Sequence, residues 1–359
     1  MRPEPRSGPR RAMPWGDLPR GSFPGDGLAV IDKDPGVTSH DVVGAVRRLA
    51  GTKKAGHAGT LDPMATGVLC IGLGRATKLL RYVTGTAKEY EATIRFGIET
   101  STEDAQGEIV RARGAREADA AELARAMANL TGDVLQVPSS VSALKVEGRR
   151  AYDLVREGRE VVLDARPIRV DVFEAVGGPR FAEACGAPVF DVDVRVVCGA
   201  GTYVRALARD LGEELGFGAH LTSLRRTRVG PWDVGEAVSV RECADAVEAD
   251  GQMPVLTLAD LCRAMFPALE VSEEAARDLR MGRFVSADSP FDFLGVKAAA
   301  SDALAPSAAG RDAPGSGSDG RGSGSAVAVA WSGGTPVALV SRRGGRVKPD
   351  LLLTPASEE

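Results

Sequence analysis

The sequence predicts an α+β fold: a mixed, largely antiparallel sheet with flanking helices, followed by a small β-rich C-terminal domain. Three observations carry this. KEYEATIRFG (88–97) and VFDVDVRVVC (189–198) alternate apolar and polar residues with the period of two that a half-buried strand imposes. Helical segments are interspersed with strands, some of which follow one another directly, which favours a mixed sheet. The chain has 359 residues, enough for about two domains, and its character shifts near residues 250–270.

Taken in order, residues 1–26 are rich in Arg, Pro and Gly and are expected to form a flexible tail. LAVIDK (28–33) reads as a strand. Thr38 or Ser39 can cap a helix that places Val42, Val43, Val46 and Leu49 on one face and ends at Gly51. A Gly- and Thr-rich loop leads into the strand VLCIGLG and a short helix around ATKLLRYV. In 88–97, Tyr90, Ala92, Ile94 and Phe96 share the inward face of a strand. A helix is expected at roughly 117–130, and REVVLDARPIRVDVFEAV (159–176) and 189–198 are strands. Thr202 can cap a helix carrying Tyr203, Leu207 and Leu211 on one stripe. The main domain is expected over 27–264 and the second over 265–359, interrupted by a flexible Ala/Gly/Ser/Pro-rich insertion at about 298–325. AVAVAW (326–331) and PVALVSR (336–342), separated by Ser-Gly-Gly-Thr, signal a hairpin.

Composition narrows the function. Hydrophobic residues make up 43% and charged residues 26%, ordinary for a globular protein. No apolar run approaches the roughly 20 residues of a membrane span, and the N-terminus lacks the apolar core of a secretory signal. Five scattered cysteines and three histidines contain no CxxC and no paired-histidine spacing, which argues against a zinc site or disulfide framework and fits a reducing cytoplasm. The formal net charge of −4 speaks mildly against a protein that coats nucleic acid. Basic clusters at Arg47-Arg48, Lys53-Lys54, Arg149-Arg150 and Arg225-Arg226 with Arg228 could still hold a polyanion locally.

The segment GHAGTLDPMATGVL (56–69) concentrates the chemistry. GLGRATK lacks the P-loop pattern, GAGTYV carries only a lone GxG, and no GxSxG elbow occurs. Pro63 drives Asp62 out of helical backbone into an extended loop. Alone, such an aspartate is a turn former. A catalytic role requires a partner that keeps the carboxylate charged and aimed, and with no metal ligands at hand an arginine is the natural choice. Periodicity does not say which arginine.

GHAGTLDPMATGVLCIGLGRATKLL closely resembles the catalytic motif of the bacterial tRNA pseudouridine-55 synthases, the TruB family. DKDPGVTSHDVV, VSALKVEGRRAYDLVREG and CGAGTYVRALARDLGEELG with HLTSLRRTRVG follow the order of that family, and together the blocks span most of 28–235. The resemblance implies a pseudouridine-synthase catalytic domain and a C-terminal PUA-like RNA-binding domain. It implies an isomerase that flips uridine 55 from the T loop of tRNA, breaks its glycosidic bond, rotates the base and rejoins it through C5. No cofactor and no metal are expected. Asp62 is the implied nucleophile or base, acting at C1′ or C2′ of the ribose, and Arg205 its ion-pair partner. Tyr90 is the tyrosine implied to stack on the target base and assist loss of the C5 proton. His57, Leu224, Tyr203, Lys78 and Lys145 are assigned to substrate binding, His57 by stacking near the flipped nucleotide. The basic clusters would contact phosphates.

The expected partner is the T-arm of tRNA, bound by a cytoplasmic monomer with no obligatory protein partner and no membrane attachment. Two departures stand out: Asp34 where the family usually has proline, and Ser139-Ser140-Val141 where it commonly has Pro-Pro-x-aromatic. A tRNA-binding folding helper without required catalysis is the alternative. A guide-RNA-dependent synthase, as in archaea and eukaryotes, is a third possibility.

Overall fold

The computed structural model describes residues 13–23, 25–116, 119–139, 163–286, 327–342 and 345–354, with the backbone of 145–146, 149–150 and 343. The principal strands are β1 (Gly27–Lys33), β2 (Thr66–Leu73), β3 (Lys88–Phe96), β4 (Gly132–Gln136), β5 (Arg166–Ala175), β6 (Ala187–Cys198) and β7 (Ala219–Val229). They lie in the order β1-β2-β7-β3-β6-β5-β4, with the short strand Val238–Ser239 outside β1. Every pairing in that run is antiparallel except β2 with β7. The sheet is thus mixed and largely antiparallel, as the strand patterning predicts.

Both faces of its first two strands are covered. In β1, Ala29 and Ile31 enter one core while Leu28 and Val30 enter another. In β2, Leu69 and Ile71 face the first core and Val68 and Cys70 the second. Near-continuous apolar runs result, as expected where no face meets water. β3 instead keeps the clean alternation: Tyr90, Ala92, Ile94 and Phe96 are buried, and Glu91 is exposed.

Helix α1 (Ser39–Leu49) covers the first face, buries Val42, Val43, Val46 and Leu49, and starts at Thr38, which forms a reciprocal capping box with Asp41. Helices α2 (Leu80–Gly85), α3 (Ala120–Asn129), α4 (Val204–Glu214), α5 (Val240–Asp250) and α6 (Leu258–Met265) follow. No helix among the described residues is long and apolar enough to cross a membrane.

The C-terminal part forms a five-stranded sheet of β8 (Ala268–Glu270), β9 (Val285–Ser286), β10 (Val327–Ser332), β11 (Thr335–Arg343) and β12 (Arg346–Leu352), with α7 (Glu273–Arg280) beside it. β10 and β11 make the expected hairpin, turned by Gly333 and Gly334, both at positive φ. The insertion at 298–325 lies outside the described residues.

Two expectations change. Of the 1–26 tail, residues 13–23 pack on the body: Trp15 and Leu18 are buried in the main core, and Arg48 Nε donates to Leu18 O. The Arg/Pro/Gly composition concealed these two apolar anchors. The cap of α4 falls on Tyr203, not Thr202. Gln136 at the end of β4 accepts from Tyr203 N at 2.9 Å and donates to Tyr203 O at 3.1 Å, so Tyr203 stays extended and the helix starts one residue later.

Candidate active site

The loop after the strand Ala55–Ala58 presents Asp62, and its backbone is fixed from three sides. Ser39 Oγ donates to Leu61 O at 3.0 Å and accepts from Leu61 N at 2.9 Å, tying the loop to the start of α1. Gly36 N donates to Pro63 O at 2.7 Å. Lys33 Nζ, on a side chain 1% exposed, donates to Val37 O at 2.8 Å, Asp34 O at 3.0 Å and Pro63 O at 3.4 Å. Burial pushes the Lys33 ammonium down to about 8, opposed chiefly by the nearby Asp62 carboxylate. On the far side, Arg226 Nη2 donates to Gly59 O at 3.1 Å and Nε to Val68 O at 2.7 Å. Asp62 therefore sits on an irregular segment whose position is set by groups on β1, α1 and β7.

Arg205 comes from the first turn of α4, 143 residues downstream of Asp62. Its Nε donates to Asp62 Oδ2 at 2.9 Å and its Nη2 to Oδ1 at 3.2 Å, the side-on fork that a planar guanidinium makes with a carboxylate. The remaining Nη1 donates to Thr102 O at 2.7 Å and Ser139 Oγ at 2.9 Å. Asp104 Oδ2 stands 3.8 Å from Nε, while its Oδ1 accepts from Thr102 Oγ1 at 2.5 Å and Gln106 N at 3.0 Å. The Arg205 side chain is 4% exposed, whereas that of Asp62 is 34% exposed. A buried cation thus grips a carboxylate whose other side remains open.

That open side faces a cavity of about 250 Å³ lined by Asp62, Arg205, Tyr90, Leu224, Tyr203, Lys88 and Arg226, among others. The register of β7 on β3 sets Arg226 opposite Tyr90 and Leu224 opposite Ala92. Tyr90 is 8% exposed. Burial pushes its hydroxyl up, and the Arg226 guanidinium opposes this. Lys88 Nζ donates to Thr86 O at 2.6 Å and to Thr84 O. Burial pushes this ammonium down to about 8, with Arg226 adding to the effect. Among the described residues no three His, Cys, Asp or Glu side chains are grouped to hold a metal ion.

The structure thus gathers Asp62, Arg205, Tyr90, Leu224 and Tyr203 around one cavity. His57 and Lys78 are not in its lining. His57 lies on Ala55–Ala58 opposite Ile71, its ring edge-on to His40 at a centroid distance of 5.5 Å. Burial, then His40 and Arg226, push its pKa down. Lys78 ends the short 3-10 turn Gly74–Lys78 and is exposed. The side chain of Lys145 lies outside the described residues.

Arg226 corrects the reading of Arg225-Arg226-Arg228 as a phosphate-facing cluster. Arg226 is 1% exposed, while Arg225 pairs with Asp32 at 2.7 Å and Arg228 with Glu89 at 2.8 Å. Period two from the inward-facing Leu224 and Tyr90 would have placed Arg226 and Lys88 inside, had their charge not suggested solvent.

Residues 47–204 match the TruB family pseudouridylate synthase N-terminal domain, and residues 205–268 match the tRNA pseudouridylate synthase B C-terminal domain. The tRNA pseudouridine synthase B of Arthrobacter sp. (strain FB24) is 47% identical over 93% of this chain and 98% of its own length. That of Cutibacterium acnes is 47% identical over 78% of this chain and 92% of its own. Among solved structures, a Cbf5-Nop10-Gar1 complex shares the fold at TM-score 0.61 and 22% identity, covering 92% of this chain and 85% of that one. The motifs around Asp62 and Arg205, the family matches over both halves and the identity to full-length relatives agree: the chain belongs to the TruB family of pseudouridine synthases.

Proposed function

We propose that this enzyme isomerises uridine 55 in the T loop of tRNA to pseudouridine, with Asp62 as the group that acts on the ribose. The bidentate Arg205–Asp62 pair at the wall of a nucleoside-sized cavity carries the reading. Cleavage of the glycosidic bond builds positive character at C1′, and a carboxylate held there serves as nucleophile or electrostatic stabiliser. The same carboxylate could instead take the C2′ proton. Both routes require Asp62 aimed from outside by Arg205, which leaves its exposed edge for the substrate. The target base must leave its stack, at a cost of a few kcal/mol. Tyr90 offers it a ring to stack on and a hydroxyl near Arg226, placed to assist loss of the C5 proton. Leu224 and Tyr203 complete the enclosure.

The enzyme is read as a cytoplasmic monomer working on the T-arm without an obligatory protein partner, its C-terminal sheet a PUA-like RNA-binding domain. The odd number and wide scatter of the five cysteines support a reducing compartment. Sedimentation of the free and tRNA-bound protein tests the stoichiometry.

Incubation with unmodified tRNA transcript and mapping of pseudouridine tests the reaction. Wild type should modify position 55, and Asp62→Asn should lose at least about 10³-fold in rate, on the scale of removing a group central to the chemistry. A transcript with cytidine at position 55 should give no product. An active Asp62→Asn enzyme would remove Asp62 from the mechanism, and tRNA binding without any product from wild type would leave the folding-helper reading in its place.

A further inference from the structure

On the surface beyond the C-terminal end of α1 lies an open depression of about 520 Å³ lined by Arg20, Arg47, Arg48, Lys53, Gly44 and Gly51, together with Thr52. No carboxylate lines it. In a chain of net charge −4 several other surface arginines are matched by carboxylates: Arg95 by Asp191, Arg180 by Asp193, Arg195 by Glu89, and Arg225 by Asp32. The two helical arginines are instead oriented by neutral acceptors. Arg47 Nη2 donates to Ala55 O at 2.7 Å, and Arg48 Nε to Leu18 O. A guanidinium has five N–H donors, so one bond to a neutral carbonyl leaves each arginine further donors for a ligand. Gly44 adds bare helix backbone, with nothing within 4 Å of where its side chain would begin. A bulky ligand can approach closely there.

The groove is coupled to the catalytic loop by α1 itself. The first helical residue, Ser39, grips Leu61 beside Asp62, while Arg47 and Arg48 occupy the last turn. Eleven residues at 1.5 Å per residue separate the two ends by about 16 Å. One strand of a stacked nucleic acid advances about 3.4 Å per phosphate, so four or five phosphates span that gap. The fourth cation, Arg20, comes from the N-terminal segment seated on the core by Trp15 and Leu18. The segment therefore adds charge to the same surface.

We propose that Arg20, Arg47, Arg48 and Lys53 form a docking groove for the phosphate backbone of the tRNA whose target uridine enters the Asp62 cavity. The proposal rests on the functional reading above, and it assigns the N-terminal segment a part in substrate binding.

The test compares full-length wild type with Arg47→Gln/Arg48→Gln and Arg20→Gln/Lys53→Gln, measuring tRNA affinity across a salt series and the single-turnover rate at saturating tRNA. Each pair should weaken binding about tenfold or more and lower the slope of log Kd against log salt by about 2, one for each lost phosphate contact. The saturating rate should stay within about twofold. Arg47→Lys/Arg48→Lys, which keeps the charge, should retain the salt slope. Melting curves check that each variant is folded. Arg20 and Lys53 are exposed, so their pair serves even if the helical pair disturbs α1. Wild-type affinity and slope in a folded Arg20→Gln/Lys53→Gln variant would overturn the groove, as would loss of binding to anionic phospholipid vesicles with tRNA affinity unchanged. An inactive wild type would instead overturn the functional reading, so the two failures are distinct.

Discussion

Arg205 satisfies five demands with one side chain: both oxygens of Asp62, the Thr102 carbonyl, the Ser139 hydroxyl and the nearby Asp104 carboxylate. A lysine could supply charge but not the fork. Arg205→Lys should therefore lower kcat about 10- to 100-fold with little change in KM, because it disturbs the aim of Asp62 and not the binding of tRNA. Equal losses in KM would show that Arg205 acts mainly on substrate binding. Ser139 stands where the family commonly has proline, and it is fully buried with its hydroxyl on Arg205 Nη1. Removing that hydroxyl takes one hydrogen bond from a buried guanidinium. Ser139→Ala should cost about 1.5–3 kcal/mol of stability, measured by urea unfolding. A neutral substitution would mean that water replaces the hydroxyl.

At the scale of elements, the site depends on the junction between β2 and β7, the parallel pair in the run of principal strands. β7 brings Leu224 and Arg226 beside Tyr90, and the return of β2 fixes the loop that carries Asp62. The two strands approach so closely at Gly67 that a side-chain carbon there would lie 2.1 Å from Arg226 O, and Gly67 also has φ +97°. Gly67→Ala should therefore destabilise the protein by about 3 kcal/mol or more and reduce activity beyond what the loss of folded enzyme explains. Full activity in the folded fraction would separate the junction from the site. Much of this level was legible. Alternation in 88–97 placed the inward face of β3, and the spacing of Val42, Val43, Val46 and Leu49 placed α1. What stayed illegible was non-local. Nothing in local pattern ties Asp62 to an arginine 143 residues away, and that pairing came only through family likeness. The α4 cap was misplaced for the same reason, since the group that fixes Tyr203 is Gln136, on another strand.

At the scale of the whole molecule, the C-terminal sheet shares a core with the catalytic part. Val329, Trp331, Leu339 and Leu353 join Leu28, Val30, Val68 and Cys70 in one cluster, with Leu261 and Met265 of α6 between them. Arg75 Nη1 donates to Leu353 O at 3.1 Å, and Tyr82 meets Phe266 edge-on at a centroid distance of 5.2 Å. The C-terminal sheet also has a core of its own around Leu269, Leu279, Ala338 and Val340. It therefore can be ordered in itself and still complete the second face of β1 and β2. Trp331 is 2% exposed, and the Arg263 guanidinium lies 4.7 Å above its ring. Trp331→Ala should cost about 3–5 kcal/mol, the range for deleting a large core aromatic. The loss should appear in calorimetry as a lower single transition, because the shared cluster couples both sheets. A variant that melts in two separated steps, with the upper step at the wild-type temperature, would show that the catalytic sheet holds its second face together without this contact.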